Sequence, residues 1–106
     1  MGRAETREMA HLYILRCGDG SFYVGSTIDL ERRIAQHSHG EGAAYTRRRL
    51  PVVLVYHQEF DRIEQAYAAE KQVQNWSRAK RIALIDGRFD LLPSLAKKRF
   101  VGPSVE

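Results

Sequence analysis

Residues 21–37 read SFYVGSTIDLERRIAQH and change period halfway along. In the first half Phe22 and Val24 alternate with Tyr23 and Gly25, the period of two expected of a strand. In the second half Leu30 and Ile34 recur at helical spacing behind Asp29, so a helix is expected from about Asp29 to Ser38, stopped by Gly40. Arg33 and His37 are four apart on that helix, stacked on one face and turned ~60° from Leu30 and Ile34. That puts them at the border between core and solvent, aimed across the sheet, with Arg32 and Gln36 further outward. A structural reading needs only a turn glycine and an amphipathic helix. A chemical reading takes Tyr23, Arg33 and His37 as a set that handles phosphate.

Upstream, HLYILRC at 11–17 is also strand-like and is joined to SFYVGS at 21–26 by GDG, which reads as a hairpin. Loop length follows from the faces. With a three-residue loop Gly18-Asp19-Gly20, Leu12, Ile14, Phe22 and Val24 share one face. His11, Tyr13, Leu15, Cys17, Tyr23 and Gly25 share the other. A two-residue loop mixes these sets. Three residues, with Gly20 left-handed in a bulge, is therefore the expectation, and it puts Tyr13 and Tyr23 side by side.

Downstream, GEGAAYTRRRLP is a long loop with room for one short turn. VVLVYHQEF at 52–60 is the third strand. Asp61 with Glu64 three residues on resembles a capping box for a helix over 62–75. Ser77 caps a further helix to about Asp86, ended by Gly87, and DLLPSLAKKR is a candidate for a short last helix. Residues 1–8 read as a mobile leader, 9–100 as one domain and 101–106 as a loose tail. The expectation is an α+β fold, element order β-β-α-β-α-α.

At 106 residues the chain can build one modest core, and its 43% hydrophobic and 28% charged content is ordinary for a globular protein. The single cysteine, Cys17, excludes an internal disulfide, and no Cys/His spacing suits structural zinc, so a reducing, cytoplasmic setting is expected. No apolar run has the length of a membrane span, so no membrane partner is expected, and no obligate protein partner is inferred. A net charge of +4 permits a polyanionic partner without demonstrating one. The clusters Arg47-Arg48-Arg49, Lys80-Arg81 and Lys97-Lys98-Arg99 fit either a solvated surface or nucleic-acid contact.

The pattern breaks once. On the 62–75 helix the apolar face reads Ile63, Ala66, Tyr67, Val73, and Glu70 falls on that same face. A carboxylate taken from water must be paired, coordinated or left in a cleft. Two readings stay open: an ion pair with an arginine or a helix near the edge, and a ligand for a hard divalent cation.

HLY at 11–13, YVG at 23–25, Arg33, His37 and a glutamate in a later helix together resemble the GIY-YIG nuclease pattern. The resemblance covers roughly residues 10–86 and is nearest to small stand-alone bacterial GIY-YIG proteins. His11, Leu12 and Val24 depart from the motif's glycine and two isoleucines. The family implies a three-stranded antiparallel sheet flanked by helices and a metal-dependent endonuclease that hydrolyses DNA phosphodiester bonds. Little sequence specificity is expected, with single-stranded and branched DNA among the candidate substrates. Carried over, Tyr13, Tyr23, Arg33 and His37 form the catalytic set and Glu70 holds Mg²⁺ or Mn²⁺. In this reading Gly25 opens the surface for a phosphate. Arg33 holds non-bridging oxygens, and Tyr23 orients water or phosphate. Tyr13 is the candidate base, its pKa lowered by a cation or its proton relayed through His37. Tyr45, Thr46, Arg47, Arg48, Arg49, Lys80 and Arg81 are the expected nucleic-acid contacts. The alternative is a non-catalytic nucleic-acid-binding module on the same scaffold.

Overall fold

The computed structural model describes residues 9–92. They form β1 (Ala10–Arg16), β2 (Phe22–Thr27), α1 (Leu30–Ser38), α2 (Ala44–Arg47), β3 (Val53–Phe60), α3 (Ile63–Gln74) and α4 (Arg78–Ile85), then a 3₁₀ turn at Phe89–Leu91. The expected order holds, with the four-residue α2 added inside the long loop. The expected leader and tail, the Lys97-Lys98-Arg99 cluster and the last helix beyond Leu92 lie outside the described residues.

The sheet is antiparallel in the order β2-β1-β3, so β2 is an edge strand. The hairpin has the expected three-residue loop: the Cys17 amide donates to the Ser21 carbonyl at 2.8 Å, and Gly20 takes a φ of 87°. Tyr13 faces Gly25 and Leu15 faces Tyr23, whereas Ile14 faces Val24 on the other side. Each face is covered differently. Against Leu12, Ile14 and Val24 pack Ala66, Ala69 and Val73 of α3, with Trp76 and Leu84 beyond them. Against Tyr13 and Tyr23 lies His37 of α1, itself met by Thr46 of α2. Burial of each large apolar side chain in such a core contributes roughly 1.5–3 kcal/mol.

Helix ends follow local chemistry. The Asp29 carboxylate accepts the Arg32 amide at 3.1 Å, and Ser77 Oγ accepts the Lys80 amide at 3.2 Å. Both are the expected caps. At α3 the cap sits one residue later than expected: the Arg62 amide donates to Gln65 Oε1 at 3.3 Å, and Asp61 and Glu64 form no box. The buried face of α3 is also turned. Ile63 and Tyr67 are exposed, with the Lys71 ammonium 5.0 Å from the Tyr67 ring centroid, and the face on the sheet is Ala66-Ala69-Val73. Small side chains let the helix lie close to the sheet, which larger ones would prevent.

Gly25 has a packing task. It sits inside β2 opposite Tyr13, and a Cβ there would meet Tyr13 Oη at 2.5 Å and Cζ at 2.6 Å. Its lack of a side chain makes room for the Tyr13 ring. Gly25→Ala is therefore expected to cost about 1–3 kcal/mol by overpacking, read as a lowered urea midpoint at unchanged slope. An unchanged midpoint would mean that the ring is not held there.

Candidate active site

Tyr13 and His37 are the centre of the site. Tyr13 is 1% exposed and His37 0%, and Tyr13 Oη lies 2.9 Å from His37 Nε2. The other ring nitrogen, Nδ1, lies 2.8 Å from Thr46 Oγ1. Gly42 presses on the same imidazole, where a Cβ would collide with Nδ1. Two expectations are corrected here. His37 is not at the border of core and solvent but is the buried residue of α1, because a tyrosine and a threonine satisfy both its nitrogens. Thr46, expected on a nucleic-acid channel wall, has no exposed surface and so cannot touch a nucleic acid.

Aromatic rings extend the cluster toward solvent. The Tyr23 ring centroid is 5.2 Å from His37 and 6.4 Å from Tyr13, and Tyr45 stacks beyond it at 6.1 Å. Tyr23 and Arg33 are the part-exposed members. Arg33 donates to Gln36 Oε1 at 2.9 Å, so Gln36 turns inward to steady it, against the expectation.

Burial dominates the proton affinities. It raises the Tyr13 hydroxyl to about 12, with the Arg33 guanidinium partly offsetting it and Tyr23 and Glu70 adding to it. Burial, and then the charge on Arg33, lowers His37 to about 4. At neutral pH Tyr13 is thus protonated and His37 neutral. The protein groups around Tyr13 give no net lowering of its pKa.

Glu70 reaches the site from the other side of the sheet, at the β2 edge. Its Oε1 accepts the Ser26 hydroxyl at 2.5 Å and its Oε2 the Gln74 amide at 2.7 Å. Ser26 is next to Gly25, under the Tyr13 hydroxyl, and the Glu70 charge is felt at Tyr13. Both partners of Glu70 are neutral, so no arginine pair explains it among the described residues. Sequence reasoning missed Ser26 and Gln74. The second had a signal, since it lies one helical turn beyond Glu70. Along this edge runs an open cleft of about 320 Å³ lined by Phe22, Tyr23, Val24, Tyr45, Gln74 and Arg81.

The basic residues divide. Arg47, Arg48 and Lys80 are exposed. Arg49 is engaged: its Nε meets Asp19 at 3.1 Å, it donates to the Tyr45 carbonyl at 2.9 Å, and its guanidinium lies 3.8 Å from the Tyr45 ring centroid. Arg81 donates to the carbonyls of Val73 at 3.2 Å and Gln74 at 2.7 Å, closing the end of α3.

Residues 9–83 match the GIY-YIG catalytic domain, and the chain belongs to that nuclease-type family. Its relatives there are small stand-alone UPF0213 proteins of bacteria and archaea. One from Halobacterium salinarum is 43% identical over 76 residues, covering 72% of this chain and 99% of its own length. One from Staphylococcus saprophyticus is 44% identical over 75 residues, covering 71% and 92%. The solution structure of the UPF0213 protein BH0048 from Bacillus halodurans, 42% identical, superposes with a TM-score of 0.51 over 76% of this chain and 85% of that one. The solution structure of the protein EF2693 from E. faecalis, 35% identical, gives 0.54 over 81% and 91%. Among the described residues no helix is long and apolar enough to cross a membrane.

The lowered His37 pKa makes stability depend on pH with a definite sign. The folded protein refuses a proton that the unfolded chain accepts at 6.5, so the contribution is full above that pH and drains toward pH 4. Roughly 3 kcal/mol is at stake. Urea midpoints should fall between pH 7 and pH 4.5, and His37→Gln should be less stable at pH 7 but flatter over that range. Equal slopes for both proteins would refute the assignment.

Proposed function

We propose that this protein is a divalent-metal-dependent endonuclease that hydrolyses DNA phosphodiester bonds with little sequence specificity. The observation that carries it is a tyrosine–histidine pair whose tyrosine lies within electrostatic reach of both a part-exposed arginine and a carboxylate with only neutral partners. Glu70 fits a hard cation because Ser26 and Gln74 orient its oxygens without cancelling its charge. Among the described residues no three His, Cys, Asp or Glu side chains gather into a cage, so water and phosphate oxygens would complete the shell of Mg²⁺ or Mn²⁺. Such an ion, when bound, polarises the phosphate and steadies the leaving oxygen.

The remaining roles belong to the chain. Arg33 holds the non-bridging oxygens with its fork of donors as charge builds on them. Tyr23, at the solvent side, orients the phosphate or the attacking water. That water gives its proton to Tyr13 Oη while the Tyr13 proton passes to His37 Nε2. Its oxygen bonds to phosphorus, the bond to the 3′-oxygen breaks, and that oxygen takes a proton from solvent. Tyr13 thus serves as a neutral conduit, never a resident tyrosinate. Phosphate docked on Arg33 also offsets the charge that lowers His37, so the acceptor gains basicity when substrate is present.

Purified protein should nick labelled single-stranded, duplex or branched oligonucleotides with Mg²⁺ or Mn²⁺ and stop with EDTA. Glu70→Gln should lose at least about a hundredfold in rate, because the charge a cation needs is gone. It should keep its melting temperature within a few degrees, since Ser26 can still donate to the amide oxygen and Gln74 can still donate to the Val24 carbonyl. A clearly lowered melting temperature with residual metal-dependent cleavage would refute the ligand assignment.

DNA binding should weaken steeply with salt. Replacing Arg47 and Arg48 with alanine should reduce the slope of log affinity against log salt by about one for each phosphate that is no longer neutralised. Arg49→Ala should mainly cost stability, because its side chain is already tied to Asp19 and Tyr45. An unchanged slope in the double variant would place the DNA elsewhere.

A further inference from the structure

His37 can accept the Tyr13 proton only if Nε2 is bare and the ring's own proton is on Nδ1. Thr46 decides this. Its hydroxyl has one hydrogen, and that hydrogen is given to the Ala43 carbonyl at 3.0 Å, an oxygen that can only accept. Toward His37 Nδ1, 2.8 Å away, the Thr46 oxygen therefore presents a lone pair and must receive the ring N–H. The protons then all run one way, from Tyr13 to His37, from His37 to Thr46, and from Thr46 to Ala43.

We propose that Thr46 is a positioning residue that fixes His37 as the Nδ1–H tautomer and so keeps Nε2 open to the Tyr13 hydroxyl. The opposite tautomer would set two lone pairs, on Nδ1 and Thr46 Oγ1, against each other. Released from Ala43, Thr46 could donate instead, but its bond to Ala43 would be broken and Tyr13 would face an N–H. Steric support comes from the same loop. Gly42 packs against the imidazole so closely that a Cβ there would collide with Nδ1. The short α2 thereby has a reason to exist: it carries Thr46 to full burial beside a ring nine residues earlier in the chain.

The inference rests on the proposed hydrolysis only for its consequence, so its test reads the tautomer directly. Two-bond ¹H–¹⁵N correlation spectra of labelled protein at pH 7 should show His37 with a protonated Nδ1 and a bare Nε2. Thr46→Ser should keep that pattern. Thr46→Val, close in shape but without the hydroxyl, should give mixed tautomers or the reverse one. Cleavage by Thr46→Val should fall about ten- to a hundredfold in kcat at little-changed KM, as expected when one buried hydrogen bond is removed, and Thr46→Ser should restore most of it. A protonated Nε2 in the unaltered protein would overturn the inference, whatever the variants do. So would a Thr46→Val protein that keeps the Nδ1–H pattern. The Nδ1–H pattern without nuclease activity would instead overturn the proposed hydrolysis and leave the tautomer lock standing.

Discussion

One buried hydrogen bond, between a tyrosine on β1 and a histidine on α1, ties the parts of this domain into a site. Neither group could be buried to this degree without a partner. A hydroxyl or imidazole without a partner in the interior costs about as much as a sizeable apolar side chain contributes. Together, and with Thr46 taking the last ring nitrogen, they satisfy one another. The α1 helix is thereby pinned to the sheet through a polar contact where an apolar stripe would ordinarily serve. Leu30 and Ile34, the apolar residues of that helix, are only half-buried.

The surroundings answer to that contact. Gly25 has no side chain because the Tyr13 ring occupies the space above it, and Gly42 has none because the His37 ring does. Tyr23 and Tyr45 continue the ring stack outward, and Arg49 lies across the last of them. On the far face, Ala66 and Ala69 bring α3 close enough for Glu70 to reach Ser26 on the edge strand. Two differently built faces thus bring opposite charges within reach of one side chain, Tyr13: Arg33 from α1 and Glu70 from α3.

Local pattern revealed much of this and distance hid the rest. Strand alternation and the loop GDG sufficed for the hairpin register, and Asp29 and Ser77 announced their caps, because each signal lies within a few residues. The burial of His37 was illegible. A helical wheel ranks faces by hydropathy, and this helix buries a polar residue whose partners are supplied by β1 and α2. Arg49 and Arg81 carry bonds that the sequence did not reveal. A run of arginines reads as uniform charge, and only the structure shows which members are also held by a carboxylate, a ring or a helix end. The turned face of α3 was hidden because alanines weigh little beside Ile63 and Tyr67, although small size is what the close approach requires. Glu70 was visible as an anomaly, but its neutral partners were not.

An edge strand leaves one row of backbone groups unpaired, and another chain can extend a sheet from such a row. Here that row is β2, and its outward side is partly spoken for: the Gln74 amide reaches the Val24 carbonyl at 3.3 Å. Side chains from α2, α3 and α4 rise along the same margin. A polypeptide strand, which needs a flat run of donors and acceptors, finds the margin interrupted. Of the two edges of this sheet, β2 and β3, the β2 edge is thus guarded by its own neighbours against pairing with another strand.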